Sequence, residues 1–239
     1  MSSLTVNLEE IKEKLIEKLR PNGWADKLKG FIHSSDFDDL IQKLIDAKEN
    51  GKRFTPPLKY VFRAFEKCPY NNVRVVIIGQ DPYPQLGVAD GLAFSCSLTE
   101  TEQPSLKYIF NAIENTVFPD DPRVQDPDLK RWAEQGVLLL NSALTTEVGK
   151  PATQYDIWNP FLVYLLDILN YEQGSIIFIL MGKKAHEFED LLSPHHHIFK
   201  IAHPASAAYA GQVWDCQDVF NKANQVITEM NGPEFTIHW

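Results

Sequence analysis

Between Val73 and Pro84 the chain passes from a β-branched, almost wholly apolar run, Val73-Arg74-Val75-Val76-Ile77-Ile78, straight into Gly79-Gln80-Asp81-Pro82-Tyr83-Pro84. A run of that length and composition predicts a strand covered on both faces, the situation of strands inside a parallel sheet. Glycine and two prolines end it within a few residues, so a stiff loop leaves the strand's carboxyl end. In open α/β sheets ligands bind at that end. The junction therefore constrains fold and use together: parallel strands need crossover helices, and Asp81 is held at the mouth of the sheet by a backbone with little freedom. The bland alternative is a strand-ending turn with a solvated aspartate. It loses ground here because other polar residues stand at matching positions on later strands.

The rest of the chain supplies the strands and crossovers this junction demands. Val137–Leu140, Ile176–Leu180 and Ile198–Ala202 read as further buried strands. Amphipathic stretches lie between them. One opens at Pro104-Ser105-Leu106 and puts Leu106, Ile109, Phe110, Ile113 and Val117 on one face. Another is expected to open at Asn159-Pro160 and close near Gly174, and a third to run from about Asp215 to Met230. The first ~70 residues are helical in pattern, with periodicity over Leu8 to Leu19 and Phe37 to Ala47 and Ser35 as N-cap of the second. The interleaved Glu and Lys residues from Glu9 to Lys18 read as an ion-paired, exposed helix face. The expectation is a single α/β domain over residues 1–239, with a four-stranded parallel sheet flanked by helices and right-handed crossovers.

Bulk properties exclude several classes. At 239 residues with 44% hydrophobic and 23% charged content, the chain has the makings of an ordinary globular core. No apolar stretch reaches the roughly 18–20 residues a membrane span needs, and Met1-Ser2-Ser3-Leu4 lacks a secretory pattern. Three scattered cysteines, Cys68, Cys96 and Cys216, point to reduced thiols and a cytoplasmic protein. A net charge of −9 argues against a non-specific nucleic-acid binder, without excluding a local groove. The tract His195-His196-His197 lacks matching acidic or cysteine ligands and reads as a polar lead-in to a strand, and His186 as a surface residue. Lys183 and Lys184 are either phosphate contacts at a helix start or a solvated pair. No metal or cofactor is expected, and no phosphate-loop glycine pattern surrounds Gly149-Lys150.

Asp81, Asn141 and His203 each follow a predicted strand, 60 or more residues apart. Parallel strands bring their carboxyl ends to one edge, so a carboxylate, an amide and an imidazole converge around one crevice, a plausible hydrolytic or lyase site. Taken singly, Asn141 as a turn cap and His203 as a loop histidine explain themselves without function. The residues around them carry a resemblance. Gly79–Tyr83, Gly91-Leu92-Ala93-Phe94-Ser95, Gln103-Pro104-Ser105-Leu106, Gly136–Asn141 and His203-Pro204 together resemble family 1 uracil-DNA glycosylases, collinearly from roughly Trp24 onward. Phe54-Thr55-Pro56-Pro57 and Phe220 to Asn224 resemble that family's flanking segments.

The resemblance implies hydrolysis of the N-glycosidic bond of deoxyuridine in single- or double-stranded DNA, with an abasic site left and base excision repair as the setting. It implies Asp81 as the carboxylate that faces the cationic sugar and orients water, and His203 as the donor to uracil O2. Gln80, Tyr83, Phe94 and Asn141 then form the uracil pocket: Asn141 pairs with N3–H and O4, Tyr83 blocks a C5 methyl, Phe94 stacks, and Gln80 makes contacts at O2. Pro104, Ser105, Pro204, Ser206, Ala207 and Tyr209 fall on the implied DNA-binding segments. The implied state is a monomer, and a DNA-mimicking protein inhibitor is a candidate partner. A DNA- or replication-partner-binding module with weak catalysis is the rival reading.

Three departures from the family pattern matter. Pro84 replaces a usual histidine, as in poxviral members. Asp90 replaces another and is expected to add negative charge near a DNA-facing loop unless it turns away. The usual His-Pro-Ser-Pro-Leu-Ser becomes His203-Pro204-Ala205-Ser206-Ala207-Ala208, so the leucine wedge position falls on Ala207 and Tyr209 is the neighbouring aromatic that could replace it.

Overall fold

The computed structural model describes residues 7–99, 101–121 and 125–239. Met1 to Leu4, the stretch without a secretory pattern, lies outside them. Three helices come first: α1 (Leu8–Leu19), α2 (Trp24–Ile32) and α3 (Ser35–Glu49). A short strand β1 (Phe54–Thr55) and helix α4 (Arg63–Lys67) lead into β2 (Val75–Gly79), the predicted junction strand. Then follow α5 (Pro104–Thr116), α6 (Lys130–Glu134), β3 (Val137–Asn141) and β4 (Thr146–Glu147). The chain continues through α7 (Tyr155–Glu172), β5 (Ile177–Met181), α8 (Lys183–His186), β6 (His197–Ile201), α9 (Pro204–Ala210) and α10 (Val219–Asn231).

Strands β3, β2, β5 and β6 form, in that order, the expected four-stranded sheet, and every neighbouring pair is parallel. Every residue of β2, β3 and β5 is buried, which explains why these strands read as continuous apolar runs. The edge strand β6 is mostly exposed or half-buried, which suits an edge. In register, Gly79 lies opposite Asn141 and Met181 opposite Ile201, so the carboxyl ends are level. Strands β1 and β4 make a separate antiparallel ribbon. One cluster of buried residues runs from Leu15 to Trp239 and ties the N-terminal helices to the sheet.

Four local expectations need correction. The N-cap of α3 is Ser34, whose hydroxyl accepts from the Phe37 amide at 3.4 Å, not Ser35. Helix α7 starts at Tyr155 and carries Pro160 inside its second turn. A proline there forfeits one hydrogen bond near the helix start, where tertiary burial of the following leucines can outweigh it. Helix α10 starts at Val219, because Gln217 and Asp218 take left-handed φ of 53° and 57° and break any earlier turn. Lys12 is buried, not solvated: it pairs with Glu9 at 3.0 Å and with Asp38 of α3 at 2.7 Å, so α1 is clamped to α3 through it.

Candidate active site

The level carboxyl ends of β2 and β3 put Gly79 beside Asn141, and only glycine fits. A Cβ on Gly79 would come 2.7 Å from Asn141 Oδ1 and 3.1 Å from Phe94 Cζ. The missing side chain is what lets an amide and an aromatic ring share one slot. Asn141 is 9% exposed. Beyond it the two loops are stitched together: Ser142 donates to Gly79 O through its amide at 3.1 Å and its hydroxyl at 2.8 Å, and the Ala143 amide donates to Gln80 O at 3.3 Å.

Asp81 leaves β2 on the Asp-Pro loop and meets the segment after β4. The Ala152 amide donates to Asp81 Oδ2 at 2.7 Å, from a residue at φ 63°. Burial pushes the Asp81 carboxyl up from the ordinary carboxylate range; the Ala152 amide and the hydroxyls of Thr146 and Tyr155 oppose it. The Tyr155 phenol is itself pushed up, first by burial and then by the Asp81 charge. Its ring carries the Lys184 ammonium at 5.0 Å, and Lys184 is paired with Glu187 at 2.7 Å. Tyr155 and Ala152 were not legible as site residues. The helix was expected to start four residues later, which left Tyr155 in a loop, and nothing in the sequence marks Ala152 as a left-handed residue.

His203 caps α9. Its Nδ1 accepts from the Ala205 amide at 3.2 Å, so the neutral ring carries its proton on Nε2. Burial lowers its pKa to about 4, and the ring is uncharged near neutrality. The strand end behind it is fully occupied. Ile201 O accepts from the Gly182 amide at 2.9 Å, and Trp214 Nε1 donates to Ala202 O at 2.9 Å. His186 is not a free surface group: its Nε2 lies 3.2 Å from Leu180 O and 3.1 Å from Ile201 O, and ties β5 to β6. Two carbonyl acceptors require that nitrogen to bear the proton. Gly182, at φ 94°, allows the approach from below, since a Cβ there would lie 2.9 Å from His203 Cβ and 3.0 Å from Gln80 Nε2.

The opposite wall is the loop that holds Phe94. Its ring centroid lies 5.4 Å from that of His203, and the Tyr83 hydroxyl donates to Phe94 O at 2.9 Å. Asp90 turns away from the surface: it is 1% exposed and paired with Arg63 at 2.7 Å, so the extra negative charge expected on this face is neutralised inside.

Gln80, Asp81, Tyr83, Phe94 and Asn141 line one cavity of about 410 Å³, together with Pro104, Ser105, His203 and Tyr209. Ser105 sits at the start of α5, at the positive end of the helix, where the Lys107 amide already donates to Gln103 O at 3.0 Å. The DNA-segment expectations divide at α9. Pro204 and Ala207 are buried in the fold, and Ser206 turns its hydroxyl onto His203 O at 2.7 Å. Ala205 and Ala208 line the cavity in their stead, and Tyr209, 92% exposed, stands at its rim. Pro84, Gln85, Leu144, Pro151, Ala152 and Tyr155 are also part of the lining. A larger groove of about 580 Å³ runs along α2, α3 and α7 but holds none of these residues. Among the described residues no group of three His, Cys, Asp or Glu side chains could hold a metal ion.

The family model of the uracil DNA glycosylase superfamily matches residues 65–228. A uracil-DNA glycosylase of Acinetobacter baylyi is 37% identical over 224 residues, covering 92% of this chain and 93% of that protein. One from Coxiella burnetii is 37% identical over 205 residues, covering 85% and 87%. Among solved structures, mimivirus uracil-DNA glycosylase superposes with a TM-score of 0.82 at 26% identity, over 92% of this chain and 88% of that one. A single-residue variant of the mimivirus protein, solved in complex with UGI, gives 0.81 at 26%, over 94% and 90%.

Proposed function

This chain belongs to the uracil DNA glycosylase superfamily and excises uracil from DNA in base excision repair, and we propose that Asp81 and His203 divide the chemistry between them while Gln80, Tyr83, Phe94 and Asn141 select the base. One observation carries the assignment: a carboxylate, an amide and an imidazole from three separate strand ends line a single cavity with an aromatic wall.

The base must first leave the stack, at a cost of a few kcal/mol. In the slot beside Gly79 its ring lies against Phe94, and the Asn141 amide offers one acceptor for N3–H and two donors toward O4. Cytosine presents the reverse polarity there and would leave buried groups unpaired. The Tyr83 phenol, held by Phe94 O, occupies the side where thymine carries its methyl. As the C1′–N1 bond breaks, its electron pair goes to uracil. The neutral His203, whose proton sits on Nε2 because Nδ1 accepts from the Ala205 amide, donates to O2 of the departing anion. The Asp81 carboxylate faces the cationic sugar, orients the water whose oxygen bonds to C1′ and takes the proton that this water loses, which offsets the charge of the uracil anion on release. Uracil is released and an abasic site remains.

The test is product analysis on a labelled uracil oligonucleotide. His203→Ala removes one preorganised donor and is expected to lower kcat by about 10²–10³-fold. Asp81→Asn keeps the shape and removes the charge, and is expected to cost at least as much. Uracil release unchanged in both variants would overturn the assignment.

At the rim, Tyr209 takes the wedge role that a leucine plays in the resembled pattern, because Ala207 is buried and Tyr209 is the large exposed side chain of α9. A UGI-type protein that mimics DNA is a proposed partner of the same rim, by analogy with the mimivirus complex. Action as a monomer is part of the same reading. Three buried, unpaired thiols support a reducing compartment such as the cytoplasm.

A further inference from the structure

Phe94 stands at the crest of a loop folded around a single buried carboxylate. Asp90 Oδ1 accepts from the Leu92 amide at 3.1 Å. Asp90 Oδ2 accepts from the Ser95 hydroxyl at 2.6 Å, the Ser97 hydroxyl at 2.6 Å and the Ser97 amide at 2.9 Å. Donors two residues before Phe94, one after it and three after it thus converge on one side chain. Arg63 Nη1 meets Asp90 Oδ2 at 2.7 Å, while Nη2 forks onto Asp128 at 2.9 and 3.0 Å. The second acid anchors the neighbouring segment: Asp128 Oδ1 accepts from the Lys130 amide at 3.0 Å, and Ser95 Oγ accepts from the Leu129 amide at 3.2 Å.

The loop needs such a hold. Phe94 lies at φ 66°, in the left-handed region that a bulky side chain avoids on its own. Gly91 presses so closely on its neighbour that a Cβ would come 1.8 Å from Tyr60 O. The conformation persists only because its surroundings over-determine it. It is also the conformation that sets the Phe94 ring against the slot and presents Phe94 O to the Tyr83 hydroxyl.

We propose that Asp90, charged and paired with Arg63, is a positioning residue that sets Phe94 and Tyr83 for uracil recognition. The proposal rests on the reading of Phe94 as the stacking ring and Tyr83 as the methyl-excluding phenol. Its physical core is that every group facing Asp90 is a donor or is acting as one. A neutral asparagine has the right shape, but its NH₂ faces a donor in either orientation, the Leu92 amide on one side or Arg63 and the Ser97 amide on the other, so the loop relaxes and the ring is no longer fixed over the base.

The experiment compares Asp90→Asn, Ser97→Ala and Phe94→Ala in the full chain. The readouts are the inhibition constant of free uracil, kcat and KM on a uracil oligonucleotide, and thermal melting. A purely structural Asp90 lowers melting and leaves uracil affinity in the folded fraction unchanged. A positioning Asp90 weakens free-uracil inhibition and raises KM by about tenfold in folded protein, the scale of one charge-assisted hydrogen bond. Ser97→Ala keeps the ion pair and removes one donor, with an expected change of about threefold. If Asp90→Asn does not fold, Ser97→Ala decides. Unchanged inhibition in the folded Asp90→Asn, or in Ser97→Ala where that variant decides, overturns the positioning role when Phe94→Ala weakens inhibition. Unchanged inhibition in Phe94→Ala removes the stacking reading, and the proposal with it.

Discussion

Asp81 is the residue on which local forces are most finely opposed. Burial raises its pKa, while the Ala152 amide, then Thr146, then Tyr155, pull it down. The ionised carboxylate is the working form, so anything that raises its pKa removes activity from the acid side. Tyr155→Phe deletes one opposing donor and leaves burial intact. The folded pKa then rises further, and the acid limb of the kcat profile moves to higher pH. The expected loss grows to roughly threefold below the acid limb and fades above it, the scale of a modest hydrogen bond. A pH–rate profile with an unmoved acid limb would remove Tyr155 from the site. His203 sets no such limit: with its pKa lowered to about 4, it stays neutral through the same range. The proline at position 84 takes away a histidine of the resembled pattern, and Tyr155 is a polar group that reaches Asp81 from another element.

At the scale of the element, α9 differs most from the resembled pattern. It is a seven-residue helix opened by Pro204 and closed at Gly211, which takes φ 62°. Helical spacing turns Ala207 inward and Tyr209 outward, a division that the motif spacing alone did not reveal. Burying a leucine contributes about 1.5–3 kcal/mol, and base–aromatic stacking about 1–3 kcal/mol, so one aromatic can offset the missing wedge. Tyr209→Ala should therefore lower kcat/KM on duplex U·A substrate by about tenfold. Single-stranded substrate has no stack to fill and should lose less. Equal losses on the two substrates, measured side by side, would deny the tyrosine a wedge function. The strands were more legible than this helix, since a buried β-branched run has one plausible fate. The true start of α7 was hidden by Pro160, which reads as a helix opener yet sits in the second turn.

Across the whole molecule, charge and shape point the same way. The net charge is −9, and none of the residues that line the cavity is a lysine or arginine. On the proposed reading, phosphate binding falls to Ser105 and to few cations, so few counterions are released. The expected slope of log Kd against log salt for single-stranded uracil DNA is about 0.7–1.4, equivalent to one or two neutralised phosphates. Titration across a salt series gives the slope directly, and a value near that of a basic-groove protein would show that cations outside the cavity carry the binding. The architecture and the three-way convergence of Asp81, Asn141 and His203 were readable from strand ends, because parallel register fixes where a residue after a strand must lie. The direction of Asp90 was not, because a buried acid depends on a partner as remote as Arg63, which no local pattern marks.

The imidazole of His186 clasps Leu180 O and Ile201 O at once, with the Gly182 amide on the second of them. Two neighbouring strand tips fastened in this way travel as one rigid block, and His203 rides on it. Any tightening around an incoming strand must then come from outside that block, against a histidine that keeps its place.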